Sequence, residues 1–192
     1  MNRTACHIYL GEIPYSEKGH YWVSFESDPD LQKTQENIYG RCLPCIQNLY
    51  FQLKEGRSEI TLGHAYRCWK VTAVVKGIDE CLSLLQEFEK RFPGGHVYGK
   101  FGSGRPHSVT RVVVFHAEDE GQRDAVRETL LQCLPEVDRE GEIQISRACA
   151  VLYEGILGDW RLWEPTSPVK NPEKIPGLLE QIRRTLFWSV ME

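Results

Sequence analysis

Apolar residues follow two clear periodicities in the middle of the chain. Cys68 to Val75 is apolar and rich in β-branched residues, which is typical of a strand. From Ile78 to Phe92 the apolar residues recur at the three- and four-residue spacing of a single helix face. Pro93-Gly94-Gly95 then provides a stop signal. The pattern therefore predicts a strand followed by an amphipathic helix.

Three further strand patterns and a second helix pattern follow along the chain. His96 to Phe101 alternates weakly and predicts a strand, and Val109 to His116 is a stronger strand pattern. Apolar spacing from Glu118 to Leu134 predicts a second helix, with Pro135 at its end. Glu142 to Leu152 reads as a last strand. The segment from 67 to 152 therefore has the order β-α-β-β-α-β.

This order of elements is the split βαβ, or ferredoxin-like, arrangement. It predicts an α+β fold in two layers, a four-stranded antiparallel sheet with two helices on one face. The predicted strands carry apolar residues on both faces, whereas a sheet with one wet face alternates cleanly. We therefore expect the second face to be covered by the N-terminal strands, by a C-terminal helix or by another subunit.

The flanking segments are less regular. Residues 1–66 read as a β-rich extension packed on the core, with strand-like stretches at 6–10, 20–25 and 48–53. Residues 67–153 form the predicted ferredoxin-like core. Four prolines after residue 164 indicate an extended linker, and the apolar spacing from Gly177 to Met191 predicts a helix that docks on a neighbouring surface, so that 154–192 make the third part.

The composition indicates which classes of protein are compatible with this sequence. The 192 residues include 23 Lys and Arg against 27 Asp and Glu, and the resulting charge of −4 argues against a protein that binds nucleic acid over its whole surface. No apolar run has the length of a signal peptide or a membrane span, so we expect a cytoplasmic protein with no membrane partner. The seven cysteines are an odd number in a chain of this size, which favours reduced thiols or a metal site over a disulfide framework.

A glycine-rich basic hairpin is the strongest candidate for a binding site. Residues 90–117 contain five Lys and Arg and no acid, in a chain that is acidic overall. Glycine backbone amides can approach an anion closely, and lysine and arginine add positive charge. A simple turn surrounded by solvated cations is the alternative. The predicted anion-binding residues are Gly99, Lys100, Gly102, Ser103, Gly104, Arg105 and Arg111.

Soft metal ligands form a second pattern. Cys42 and Cys45 are followed by His64 and Cys68, which gives Cys-x2-Cys-x18-His-x3-Cys. Two close ligand pairs separated by one hairpin length are typical of structural zinc, and a hairpin at 48–62 would bring the pairs together. Incidental buried cysteines, or a redox pair at Cys42 and Cys45, are the alternatives.

Histidine catalysis is a third hypothesis. His96 and His107 lie in the basic hairpin, where one could act as general base and the other as general acid on a phosphodiester, with Lys100 or Arg105 stabilising the transition state. Fold-level analogy with nucleases of similar architecture adds little to this.

The leading interpretation is a binding or regulatory module that receives a phosphate-bearing small molecule or a nucleic-acid backbone at the basic hairpin, with self-association as a further expectation. The alternatives are a metal-independent nucleic-acid phosphodiesterase that uses His96 and His107, and a zinc-stabilised interaction module built on the cysteines. These classes differ in salt dependence, pH dependence and sensitivity to chelators.

Overall fold

The chain forms two compact units. The computed structural model describes residues 6–11, 22–30, 42–103 and 110–187. One unit comprises Met1–Ile38 with Trp69–Ile145, and the other comprises Tyr39–Cys68 with Ser146–Glu192. The segment Tyr39–Cys68 thus groups with the C-terminal residues. The predicted division after residues 66 and 153 stays a prediction.

The described residues form eight strands, six α-helices and two 3-10 turns. The strands are β1 (Tyr9–Leu10), β2 (Trp22–Glu26), β3 (Glu59–Thr61), β4 (Trp69–Val75), β5 (Tyr98–Ser103), β6 (Arg111–Ala117), β7 (Glu142–Arg147) and β8 (Thr166–Pro168). The α-helices are α1 (Cys42–Lys54), α2 (His64–Arg67), α3 (Ile78–Arg91), α4 (Glu120–Val137), α5 (Ala150–Leu157) and α6 (Ile175–Phe187). Two 3-10 turns, Trp160–Leu162 and Pro172–Lys174, flank β8.

The first unit is built on a six-stranded antiparallel sheet. Its strand order is β1-β2-β5-β6-β4-β7, so the two N-terminal strands extend the sheet beyond β5. The predicted sheet had four strands, and the observed sheet is therefore larger. The fold is a mixed α+β arrangement, as the sequence indicated.

Side-chain alternation gives the sheet one face toward the helices. Along β4 the residues alternate between buried and half-buried, and Val71, Ala73 and Val75 lie on the buried side. These residues pack in one core with Phe25 of β2, Phe101 of β5 and Phe115 of β6, and with the apolar stripes of α3 and α4. Phe88 of α3 contacts Phe115 with ring centroids 4.5 Å apart. The opposite side of the sheet is called the far face below.

The start of α4 follows an ordinary capping rule. Asp119 precedes α4 and its carboxylate accepts a hydrogen bond of 2.8 Å from the backbone N–H of Gln122. Capping of this kind explains why acidic residues lie at the start of this helix. Pro135 lies inside α4 and the helix continues to Val137, so the predicted stop at Leu134 comes a few residues early.

The second unit has its own core. Helices α1, α5 and α6 bury an apolar cluster that includes Leu49, Tyr153 and Ile182, and β3 pairs with β8 in a two-stranded sheet. Two sequence predictions in this unit are wrong. The stretch 48–53 is helical, because Cys45, Leu49 and Leu53 recur every four residues on the buried side of α1. The predicted strand to Leu152 ends at Arg147, and α5 follows.

The C-terminal helix packs within this unit. Helix α6 lies against α1, and Ile182 of α6 is fully buried there. Trp163 is also buried, and its Nε1–H donates to the Gly158 carbonyl at 3.0 Å. These contacts anchor the proline-containing segment between α5 and α6. No helix in the described part of the chain is long and apolar enough to cross a membrane.

Burial gives the Cys81 thiol of α3 a higher pKa in the folded protein than in the unfolded chain. Burial raises the pKa of Cys81 to about 12 from its ordinary 9.0, although the nearby Arg111 lowers it. The folded state keeps a proton that the unfolded state loses, so this stabilising contribution is complete below about pH 9 and is lost as the pH rises toward about 12.

We expect iodoacetamide at about pH 8 to leave Cys81 unmodified in the native protein and to alkylate it in denaturant. Peptide mass spectrometry measures both, and rapid alkylation of Cys81 in the native state would contradict the prediction.

Candidate functional site

A row of polar and aromatic residues crosses the far face of the sheet. The strand register places Tyr9 of β1 opposite Glu26 of β2, and Glu26 opposite Tyr98 of β5. It also places His116 of β6 opposite Lys70 of β4. Tyr98 stacks on His116 with ring centroids 5.8 Å apart, which joins the two halves of the row. Groups able to hold or transfer protons therefore lie side by side on this face.

Glu26 and His96 form a carboxylate–imidazole pair at one end of this row. The Glu26 side chain is completely buried, whereas the His96 side chain is 43% exposed. Nε2 of His96 contacts Oε1 of Glu26, and because a carboxylate only accepts hydrogen bonds, the imidazole is the donor. This arrangement leaves Nδ1 as the nitrogen that can accept a proton from another group. A buried acid that orients a histidine is the geometry of a general base.

Tyr98 links this pair to the second histidine. Its ring stacks on His96 at 5.1 Å between centroids and on His116 at 5.8 Å. Its hydroxyl donates a long hydrogen bond of 3.4 Å to Oε1 of Glu118, just beyond the end of β6. Tyr98 is itself buried, so it fixes the relative positions of the two imidazoles.

Lys100 lies one step further along β5 on the same face. Its Nζ is 4.5 Å from the centroid of the Trp22 ring, a cation–π contact between β5 and β2. The backbone partners of Lys100 are Ser24 and Val114, so its side chain shares the far face with theirs. Trp22 and Lys100 are both half-buried. An aromatic surface and a positive charge are thereby presented together.

Gly99 has a structural reason to be glycine. A Cβ at this position would lie 2.5 Å from Cζ of Phe25 and would also meet the Val114 carbonyl. Gly99 is paired with Phe25 across the strands, and the aromatic ring fills the space that a side chain would take. Gly99 therefore has a packing role, and its role in an anion-binding nest stays a prediction. Gly102 has a φ of 156° at the far end of β5.

The predicted anion-binding residues do not all come together. Lys100 points to the far face. Arg111 shares the helix side of the sheet with Val113 and Phe115, and its charge lowers the pKa of Cys81 in α3. This separation follows from the two-residue alternation of a strand. Ser103 ends β5 at the start of the predicted turn. The predicted residues Gly104 and Arg105, and the predicted catalytic His107, lie outside the described residues.

The predicted zinc ligands belong to different elements of the second unit. Cys42 and Cys45 lie in the first turn of α1, and hydrogen bonds join both of them to Cys149. His64 begins α2, and Cys68 follows its last residue. The hairpin predicted at 48–62 to unite the pairs is absent, since 48–53 lies in α1 and β3 pairs with β8. Within the described residues, no group of three or more His, Cys, Asp or Glu side chains is arranged to hold a metal ion. Zinc binding stays a prediction.

Sequence reasoning named His96 and Lys100 but missed their partners. Glu26 is 70 positions before His96, and the turn-like composition after Phe25 gave no sign that a strand continued to this acid. His116 was assigned to a strand. It lies two residues after Val114, the cross-strand partner of Lys100, so strand alternation could have placed it on the same face as Lys100.

Comparison with known proteins gives no relative. The chain matches no protein-family model, and neither a curated protein nor a solved structure matches it significantly. Its side chains are therefore the guide to its function.

Replacement of Gly99 tests the packing role. We expect Gly99→Ala to destabilise the protein by about 1–3 kcal/mol, because the new methyl group displaces the Phe25 ring and the β6 backbone. Gly155→Ala is the matched control, since a Cβ at Gly155 meets no atom within 4 Å and alanine favours the helix there. Denaturant unfolding measures both variants. Equal stability of Gly99→Ala and the unmodified protein would contradict the packing role.

Proposed function

We propose that the protein is a binding module for a ligand that carries both a phosphate group and an aromatic ring, as a nucleotide does, free or within a single strand. The ligand would lie on the far face of the sheet beside the glycine-rich hairpin. The observation that carries the proposal is the contact of Lys100 with the Trp22 ring, 4.5 Å from Nζ to the centroid.

This contact supplies both parts of such a recognition site. A base can stack on an indole ring, and base–aromatic stacking contributes about 1–3 kcal/mol per base. The lysine ammonium can leave the ring face and contact a phosphate once a base is present. Gly102 and Ser103 end the same strand. Together with Gly104 and Arg105, which follow in the sequence, they remain part of the proposed anion site.

The surroundings on the same face favour an anion. Lys70 and Lys100 both occupy it, with His116 between β5 and β4 as a third group that can carry positive charge. The nearest acid in the row, Glu26, is engaged by His96. A local basic surface of this kind is compatible with a chain whose overall charge is −4.

The arrangement of the strands supports a ferredoxin-like core as part of this proposal. Each β-α-β crossover passes over one intervening strand, since β6 lies between β4 and β5, and β4 lies between β6 and β7. The strands β1 and β2 would then be an addition at the β5 edge. Sheets with helices on a single face can bind single-stranded nucleic acid through aromatic residues on the other face, although a fold does not establish a function.

Lys100 and Trp22 are the residues to change. We expect Lys100→Ala to weaken binding of a labelled single-stranded oligonucleotide about five- to tenfold and to lower its salt slope by about one. Trp22→Ala should weaken binding by about 1–3 kcal/mol, because stacking is lost. Fluorescence anisotropy with RNA and DNA oligonucleotides and calorimetry with AMP and inorganic phosphate distinguish a strand from a free nucleotide.

Lys90→Ala and Phe51→Ala serve as matched controls. Lys90 pairs with Glu87 on α3, and Phe51 is a 61% exposed aromatic residue of α1. Neither lies in the proposed site, so both should bind as the unmodified protein does. Binding by all four variants with equal affinity, or the absence of binding by the unmodified protein to every probe, would refute the proposed function.

A phosphodiesterase is the second candidate, and the buried Glu26 beside His96 is the observation that favours it. His96 would act as the general base, oriented by Glu26. His116, on the other side of Tyr98, would act as the general acid. Lys100 lies on the same face and would stabilise negative charge on the phosphorus centre.

Turnover of a fluorogenic RNA oligonucleotide tests this second candidate. We expect His96→Ala to lower kcat about 10²–10⁴-fold, because the general base is removed. Glu26→Gln should cause a smaller loss and change the pH profile, since the imidazole keeps its place without the adjacent charge. His7→Ala, at a histidine paired with Glu89 elsewhere in the first unit, is the control. Unchanged turnover in His96→Ala would exclude catalysis by this pair.

A further inference from the structure

Three of the seven cysteines converge in the second unit. Cys42 and Cys45 lie one turn apart at the start of α1, and Cys149 immediately precedes α5. Cys45 and Cys149 are buried in the same apolar cluster, and Cys42 packs against it. Cys42 and Cys45 are also hydrogen-bond partners of the Cys149 thiol. None of the three forms a disulfide in this structure. The amino-terminal ends of two helices thus meet at a group of three sulfur atoms.

The three thiols differ in their access to solvent. Cys45 and Cys149 are buried, with exposed fractions of 6% and 9%, whereas Cys42 is half-buried at the edge of the cluster. The hydroxyl of Tyr153 donates to the Cys45 carbonyl at 3.1 Å and holds the first turn of α1 against α5. Cys42 is therefore the sulfur that a small molecule can reach, and Cys149 is the sulfur behind it.

This cluster differs from the cysteines of the sheet core. For Cys81 burial is the main cause of the raised pKa, with apolar neighbours around it. For Cys149 the pKa is raised first by the hydrogen bonds with Cys42 and Cys45 and then by burial. An isolated buried cysteine is a small apolar residue, but neighbouring thiols can exchange with a disulfide.

We propose that Cys42, Cys45 and Cys149 form a thiol–disulfide exchange site in which Cys42 attacks and Cys149 resolves. The co-reactant is a low-molecular-weight disulfide of the glutathione class. The thiolate of Cys42 attacks one sulfur of this disulfide, a mixed disulfide forms, and one thiolate leaves and takes up the Cys42 proton. Negative charge at Cys42 is favoured because the residue lies in the first turn of α1.

The second step closes the bridge within the protein. Cys149 transfers its proton to solvent or to the departing group, and its sulfur attacks the Cys42 sulfur of the mixed disulfide. A Cys42–Cys149 bond forms and the second small thiol leaves. In total the protein loses two hydrogen atoms from two thiols, and one small disulfide is reduced to two thiols. Cys45 keeps Cys149 in position through its hydrogen bond.

The proposed bridge would join the two sequence segments of the second unit. Cys42 belongs to Tyr39–Cys68, and Cys149 belongs to Ser146–Glu192. A disulfide between distant positions restricts the unfolded chain most when the enclosed loop is long. Oxidation should therefore make the second unit more resistant to unfolding, and reduction by a small thiol should reverse the effect.

The full-length protein tests the site in glutathione buffers. The protein is equilibrated with graded ratios of oxidised to reduced glutathione, quenched in acid, alkylated and digested for peptide mass spectrometry. We expect the seven alkylatable thiols to fall to five, with one peptide pair linked through Cys42 and Cys149. The link should form at a ratio about tenfold less oxidising than that needed to modify Cys6, Cys81 or Cys133.

Two variants identify the roles of the sulfur atoms. Cys149→Ser should stop the reaction at a glutathione adduct on Cys42, and Cys45→Ser should still form the bridge. Cys133→Ser, at a buried cysteine of the first unit, is the matched control and should oxidise like the unmodified protein. If a variant fails to fold, peptide mapping of the unmodified protein still decides the proposal. A Cys42–Cys45 link, an adduct without a bridge, no preferential oxidation, or zinc bound by these cysteines in the unmodified protein would overturn it.

Discussion

The packing of the Phe25 ring over Gly99 sets the register on which the first unit depends. The two residues lie opposite each other on β2 and β5, and the space for a side chain at position 99 is already occupied. Phe25 also contacts Phe115, 5.0 Å between ring centroids, so the same ring ties three strands together on the helix side. A register shift by one residue would turn every side chain of β2 to the other face.

That register determines the chemistry of the far face. With Phe25 fixed toward the helices, Trp22, Ser24 and Glu26 must lie on the far face. There Trp22 meets Lys100, and Glu26 meets His96. The Trp22–Lys100 contact and the Glu26–His96 pair are therefore products of the same strand alternation that buries the core. Gly99 contributes to both, because its packing against Phe25 fixes the positions of the residues around it.

The sequence predicts the regular part of the first unit well, for physical reasons. Long segments with a clear period, such as α3 and β4, bury one face each, and their apolar residues must recur at the spacing of that face. The segment 48–53 was mistaken for a strand because Tyr50 and Phe51 have high β propensity. Phe51 is 61% exposed, however, and the buried residues of α1 are the ones four apart. Burial overrides local preference here.

Partners that are distant in the sequence account for most of what the sequence could not supply about the sites. His96 and Lys100 were identified because they lie in an unusual local composition. Glu26 and Cys149 lie 70 and more than 100 positions from the residues they join, and no local pattern marks them. The Cys-x2-Cys spacing drew attention to the start of α1, but the third sulfur belongs to the residue before α5, within a segment that was predicted to be a strand.

The second unit is built from two separate segments of the chain, and the cysteine cluster lies between them. Its two halves are separated in sequence by Trp69–Ile145, so its core forms only after a long loop has been closed. The Cys42, Cys45 and Cys149 cluster lies where the first half meets the second, together with the Tyr153 hydrogen bond to the Cys45 carbonyl. A covalent bond at this position would remove the entropy of that closure from the unfolded state, whereas a bond within either half would leave it unchanged. The position of the thiols, and not their number alone, is what would couple their oxidation to the stability of the unit.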